Sequence, residues 1–197
     1  MIQKGDMTRQ MILEHATALA SQVGLEGLSF GRLAEDLDLS KSGLFAHFKS
    51  LQGLQVKVLE HAAERFTETV IRPALKAPRG EPRLRAIFDR WRRWPKESRM
   101  AGGCFFVAAA TELDDRPGPA RDLLVSQQKD WLETLAGIVR SAIAEGHFHR
   151  RVDPEQFVYE LYGLMLAYHY SVRLLNDPKA DHRAETAFES LMQRAKT

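Results

Sequence analysis

Between Ser40 and Lys49 the chain gathers Ser40, Lys41, Ser42, His47 and Lys49, with Gly43 among them. Hydroxyl, ammonium and imidazole groups this close together can donate hydrogen bonds to phosphate oxygens and to the acceptor edges of bases. A glycine in their midst lets another backbone approach closely. The remaining reactive side chains offer less. No Ser–His–Asp set, paired carboxylates or glycine-rich phosphate loop stands out. Gly102-Gly103 is too short to cradle a phosphate, and no Gly-Lys-Ser/Thr follows it. His147 and His149 flank Phe148 at i and i+2, which cannot share one helix face. No Cys or second His pair has ligand spacing, so the segment reads as a surface loop and no metal site is expected. Cys104, the one cysteine, sits beside Phe105 and Phe106 with no cationic activator in sequence, which suits a buried core thiol better than a redox centre.

The donor cluster needs an element to present it. Phe30, Leu33, Ala34 and Leu37 recur at i, i+3, i+4 and i+7, the apolar face of a short helix. Ser29 stands before it as an N-cap. Asp38 follows the last apolar residue, where a turn between crossed helices calls for φ > 0, which Asp tolerates better than most side chains. Leu39 returns to the core and Ser40 caps a second helix of about two turns, Lys41 to His47. Its expected outward residues are Lys41, Ser42, Gly43, Ala46 and His47; Leu44, Phe45 and Phe48 are expected to point inward. A helix with small and donor side chains outside can enter a major groove. Arg32, on the preceding helix, is a weaker contact candidate. Ser50 caps a third, longer helix.

The stretch Ser29…Leu33-Ala34…Leu37…Leu39-Ser40-Lys41-Ser42-Gly43-Leu44-Phe45-Ala46-His47-Phe48…Leu54 resembles the helix-turn-helix of TetR-type transcriptional regulators. The likeness extends upstream through Thr8, Arg9, Ile12, Ala16 and the Gly24-Leu25…Leu28 break, about the first 60 residues in all. Beyond them only the length and the helical pattern match. Three positions depart from the family pattern. Asp38 replaces a turn Gly. Phe45 replaces a Tyr whose hydroxyl touches phosphate. Leu51 replaces a phosphate-contacting Lys. The resemblance makes Phe45 a DNA-contact position beside Arg32, Ser40, Lys41, Ser42, Gly43, His47 and Lys49. Losing two backbone contacts weakens the sequence-independent part of binding and flattens its salt dependence.

Composition sets the bounds. The 197 residues are 44% hydrophobic and 27% charged, as in ordinary soluble proteins. No run nears the ~18 apolar residues a membrane span needs. The N-terminus lacks a basic-then-apolar export pattern, and with a lone cysteine a reducing, cytoplasmic setting is the simplest reading. Net charge is only +2; residues 1–60 hold six Lys/Arg against seven Asp/Glu, so bulk charge does not announce nucleic acid. Arg32, Lys41, His47 and Lys49 nonetheless gather around the turn and the second helix.

In chain order, residues 1–7 look frayed, and a helix from Thr8 to Val23 buries Ile12, Ala16, Leu19, Ala20 and Val23 before Gly24 ends it. After the helix-turn-helix, a long helix runs from Leu51 to about Leu75, with the stripe Leu51, Leu54, Val58, Ala62, Phe66 and Val70. A helix from Arg83 to Trp94 is stopped by Pro95. Residues 79–99 hold eight Lys/Arg against three acids, a solvated charged face beside an apolar one. A buried helix reaches from Gly102 to Leu113. Further helices cover 119–145, 154–175 and 179–194, with Pro119 at a first position and Asp153-Pro154-Glu155-Gln156 as a start signal. No alternating strand pattern or repeat is present.

The expected fold is all-α: an N-terminal three-helix helix-turn-helix DNA-binding domain (1–50) and a C-terminal helical ligand-sensing and dimerisation domain (51–197). Trp91, Trp94, Phe105, Trp131, Tyr162 and Tyr168 come from four separate helices and suit the wall of an apolar pocket with polar tips. The resemblance implies repression relieved by a small-molecule effector. With a two-fold dimer through the helices at 119–145 and 154–175, the expectation is a homodimeric repressor on a palindromic double-stranded DNA operator, with no cofactor, no membrane partner and no catalysis. The alternatives are a helical enzyme using Cys104 or a His in that cavity, and a ligand-blind adaptor dimer. The helix at 154–175 is apolar over a wide arc and carries Gly163, Ala167 and Ser171 at i, i+4 and i+8; Gly137 and Ser141 repeat that spacing on the helix before it. Small-residue stripes let helices approach closely across a two-fold seam.

Overall fold

The computed structural model describes residues 4–197, with side chains from Thr8 onward. Among the described residues every regular element is helical: α1 (Lys4–Val23), α2 (Phe30–Leu37), α3 (Lys41–Phe48), α4 (Leu51–Phe66), a π-helical turn (Thr67–Ile71), α5 (Arg72–Ala74), α6 (Glu81–Glu97), α7 (Phe105–Leu113), α8 (Pro119–Ala144), α9 (Pro154–Arg173) and α10 (Ala180–Arg194). The all-α expectation holds.

The chain forms two compact units. One comprises residues 1–66 and 95–127, the other residues 67–94 and 128–197. In the first unit Ile12, Leu25, Leu28, Leu33, Leu44, Leu54 and Leu59 are almost fully buried, together with Phe105. Each such side chain removed from water contributes about 1.5–3 kcal/mol, enough for three short helices that could not persist alone. In the second unit Leu84, Ile87, Trp94, Leu135, Leu161, Met165 and Met192 form the core.

Several boundaries differ from the sequence expectation. α1 starts at Lys4, so residues 4–7 are helical; Met1 to Gln3 lie outside the described residues. Val23 is 37% exposed, as the final residue of α1 it turns off the buried face. The helix expected over 51–75 changes at Thr67 into a π turn before the short α5. The cause is Pro73, which has no N–H for the Thr69 carbonyl four residues back. That carbonyl instead accepts a bond from Arg90 Nη1 at 3.4 Å. Pro95 does not stop α6, which continues to Glu97. A proline in the last turn removes one bond, and the neighbouring turns hold the rest. α7 begins only at Phe105, with Cys104 as its N-cap residue, because Gly102 and Gly103 form a turn with Gly103 at φ 89. Phe148, in the segment expected to be a surface loop, is buried, and His147 Nδ1 accepts the Glu81 N–H at 3.3 Å.

Candidate nucleic-acid interface

The local signals around α3 are all realised. Ser29 Oγ accepts the Arg32 N–H at 3.1 Å, Ser40 Oγ the Gly43 N–H at 3.1 Å and Ser50 Oγ the Gly53 N–H at 2.9 Å. Each cap satisfies a donor that a helix start leaves open, worth about 1 kcal/mol. Asp38 takes the left-handed conformation, φ 52 and ψ 46, and Leu39 N–H then bonds back to the Ala34 carbonyl at 2.9 Å. Lys49 also has positive φ, 65°, which ends α3 sharply and aims the chain into α4. Nothing in its side chain announced that.

Leu44 and Phe48, four residues apart, lock α3 into the first unit at 1% and 4% exposure. Lys41, Ser42 and Ala46 are exposed, and Gly43 and His47 half-buried, as expected of an outward face. Phe45 is a correction. It is 56% exposed, with its ring edge 6.2 Å from Phe30. One residue after Leu44 is about 100° around the helix, so Phe45 cannot share the inward stripe that Leu44 and Phe48 define. It belongs to the outward set, where the family resemblance had put it. Lys41 lies back over the start of α2: a Cβ on Gly31 would stand 3.6 Å from its Nζ. Arg32 is half exposed, with Nε 4.0 Å from the Asp36 carboxylate, which His15 Nε2 also meets at 2.9 Å.

The structure adds Gln52 and Lys57 to these residues and gives Arg9, named above only within the family likeness, a place beside them. A cleft of about 380 Å³ beside the end of α3 is lined by His47 and Lys49 together with Arg9, Gln52 and Lys57. Arg9 and Lys57 are distant in sequence, so only packing brings these cations alongside α3. The loop between α1 and α2 is held from afar. The Glu112 carboxylate on α7 accepts the N–H groups of Leu25 and Glu26, both at 2.7 Å. Gly24, at φ +78, leaves room for it: a Cβ there would fall 2.7 Å from Glu112 Oε2. Gln55 donates to the Leu25 carbonyl at 3.1 Å, and Arg116 lies 3.2 Å from the Glu26 carboxylate.

A helix-turn-helix with donors outside its second helix is matched by comparison with known proteins. Residues 12–55 fit the model of bacterial regulatory proteins of the tetR family, and residues 80–188 fit the tetracyclin repressor-like C-terminal domain. The chain belongs to the TetR family. It is a DNA-binding transcriptional regulator by family, fold and domain content. No curated protein matches the sequence. Among solved structures, a TetR transcriptional regulator from Chloroflexus aurantiacus J-10-FL superposes with TM-score 0.85 at 24% identity, over 96% of this chain and 94% of that one. A TetR-family regulator from Streptomyces coelicolor gives 0.80 at 18% identity, over 96% of both chains. AibR, solved in complex with isovaleryl coenzyme A and operator DNA, gives 0.68 at 22% identity, over 89% of this chain and 95% of that one. These likenesses establish a shared TetR fold.

The six aromatics expected to wall a pocket divide between the units of this TetR-family chain. Phe105 belongs to the first unit, with its ring against Phe106 at 5.4 Å between centroids. Trp91, Trp94, Trp131, Tyr162 and Tyr168 belong to the second. Trp91 and Tyr168 meet edge to face at 6.2 Å. Arg92 lies 5.4 Å over both Phe88 and Tyr168 while bridging Asp181 and Glu185. Tyr168 donates to Asp181 at 3.0 Å. Burial alone would lower the Arg92 pKa, but its bonds to Glu185, Asp181 and Tyr168 outweigh this and raise it. The hydrogen bond from Arg92 holds the Asp181 carboxyl below its usual range. Burial, followed by the contact with Asp181, pushes the Tyr168 phenol up. Trp94 and Trp131 are buried. Tyr162 donates to Gln128 Oε1 at 2.9 Å and lines an open groove on α8 and α9. Among the described residues no group of three His, Cys, Asp or Glu side chains could hold a metal ion. No helix among them is long and apolar enough to cross a membrane.

Proposed function

We propose that this TetR-family regulator is a homodimeric repressor that reads a two-fold symmetric operator through α3 and is released by a small molecule bound in its C-terminal region. The observation that carries the reading is the outward face of α3, where Lys41, Ser42, Phe45 and His47 surround Gly43 on a helix capped at Ser40 and anchored by Leu44 and Phe48. Lys41, Ser42 and His47 contact base edges or phosphates. Ser40, Lys49 and Arg32 hold the backbone, and Gly43 permits close approach. Phe45 supplies apolar contact without the hydroxyl bond. Residues 1–50 serve DNA reading and residues 51–197 sensing and dimerisation.

The dimer reading is supported by α8 and α9. Tyr159 is 77% exposed, Tyr170 53% and Leu166 38%. A groove of about 340 Å³ is lined by Leu132, Ala136, Val158 and Tyr162. A Cβ on Gly163 would meet nothing within 4 Å. So much apolar surface on adjacent helices is the mark of an interface. The effector reading is supported by the aromatic set of the second unit, Trp91, Trp94, Trp131, Tyr162 and Tyr168. AibR, solved with both an acyl coenzyme A and operator DNA, shows that a relative of this fold joins the two kinds of partner. A ligand releases DNA only if it binds the DNA-incompetent conformation better.

Sedimentation of the protein and of Ala167→Arg tests the dimer. The unaltered protein should run as a dimer at micromolar concentration. Ala167→Arg should run as a monomer that no longer retains a palindromic duplex. A monomeric parent, or a dimer indifferent to Ala167→Arg and Gly163→Arg, refutes it.

A further inference from the structure

The first unit holds a second opening that no α3 residue lines. This cleft, of about 540 Å³, lies among α1, the end of α2, the last turn of α4 and the segment following α6. Its volume is in the range of small-molecule sites. The charges in it are graded. His61 is buried, and His15 and Arg65 are half-buried along its walls. The Ser98 hydroxyl is shielded and makes no hydrogen bond among the described residues. The two lining carboxylates, Glu14 and Glu97, are exposed. His61, Arg65 and Ser98 thus lie inward, and Glu14, Glu97 and the exposed Arg99 at the rim.

Two of the cations are uncommitted. None of the ion pairs among the described residues uses Arg65 or Arg99. Arg99 also holds φ 54, a left-handed conformation that a non-glycine residue keeps only where its surroundings impose it. Leaving the shielded Ser98 hydroxyl without a partner is costly, and a ligand oxyanion would supply its acceptor together with a charge-assisted partner for Arg65. We propose that this cleft binds a small oxyanion, a carboxylate or phosphate carried on a compact molecule, at a site separate from the aromatic set proposed above for the effector. Arg65 and Ser98 would take the oxyanion from within, and Arg99 would close over it. The apolar remainder would rest on Leu37 and Met100. His15, a wall of the cleft, is already bonded to Asp36 of α2. An occupant would therefore bear on the helix that precedes the turn.

The binding claim is independent of the regulatory reading and is tested without DNA. Inorganic phosphate and butyrate are titrated separately at constant ionic strength against the full-length protein, following the ring proton signals of His15 and His61 by NMR. A saturable shift of both rings with either probe is expected, and the probe that saturates identifies the oxyanion. Arg65→Gln and Ser98→Ala should each weaken the midpoint, the former by about tenfold, the scale of one lost charge-assisted bond. Arg93→Gln, an exposed arginine paired with Asp89, should not change it. A shift that fails to saturate with both probes overturns the proposal. So does a midpoint unaltered in Arg65→Gln and Ser98→Ala when both remain folded by circular dichroism.

Discussion

The helix-turn-helix and the Arg92 clasp of the second unit are built by opposite means. From Ser29 to Gly53 each structural decision is made within a few residues: three serines cap three helices, Asp38 turns the chain, and Leu44 and Phe48 seat α3. Around Arg92 the polar partners are all distant in sequence. The side chain lies against Phe88 on its own helix and reaches Tyr168 on α9, and Asp181 and Glu185 on α10. A module made of local decisions leaves its outer face free to carry information. A clasp made of distant partners spends its polar groups on one another and holds helices together.

Substitutions should separate the two. The largest effect is expected from combining Lys41→Ala, Ser42→Ala and His47→Ala. Specific binding should fall by at least about a hundredfold, since each good base contact contributes about 1–3 kcal/mol, while the thermal midpoint stays put. Fluorescence anisotropy with a selected duplex reads the first and calorimetry the second. Arg92→Ala should do the reverse, lowering stability by about 2 kcal/mol through lost packing and a stranded acidic pair. Its denaturant midpoint should drop while the folded fraction still binds DNA.

Glu112→Ala lies between them. It leaves the Leu25 and Glu26 N–H groups without their acceptor and should cost about 1–2 kcal/mol. Because the loop sets the angle of α2, operator affinity should fall as well. Hydrogen exchange at those two amides should speed up, and Glu112→Asp should restore it in part. Leu51→Lys returns a phosphate contact at an exposed helix start. The slope of log affinity against log salt should steepen by about one unit.

Acid should weaken the second unit's clasps first. Hydrogen bonds from Arg92 and Arg85 lower the pKa of Asp181 and Glu189 respectively. The stability this lends is complete above the ordinary carboxylate range, and it is lost as pH falls through the lowered folded values. Melting temperature should therefore decline between about pH 5 and pH 3. The decline should be shallower in Arg92→Met, a variant in which Asp181 has lost the donor that lowered its pKa.

The same contrast explains what could be read in the sequence. Caps, the turn at Asp38 and the α3 donors depend on neighbours in the chain, so they were legible there. Phe45 differs from its sequence expectation because apolar character alone points inward, whereas its angle from Leu44 points it outward. The π turn was legible in principle from Pro73, but the Arg90 partner of the freed Thr69 carbonyl was not. Glu112, Arg9 and Lys57 reach their places only through tertiary packing.

The central claim is that α3 reads DNA in two copies. Its most direct test is recovery of bound sequences from a random duplex library, using the protein and the Lys41, Ser42 and His47 triple variant in parallel. The account predicts a two-fold symmetric consensus for the protein, with half-sites about one helical turn or a multiple of it apart, and no enrichment for the variant. An unsymmetric or absent consensus, or the same consensus recovered by the variant, would contradict it.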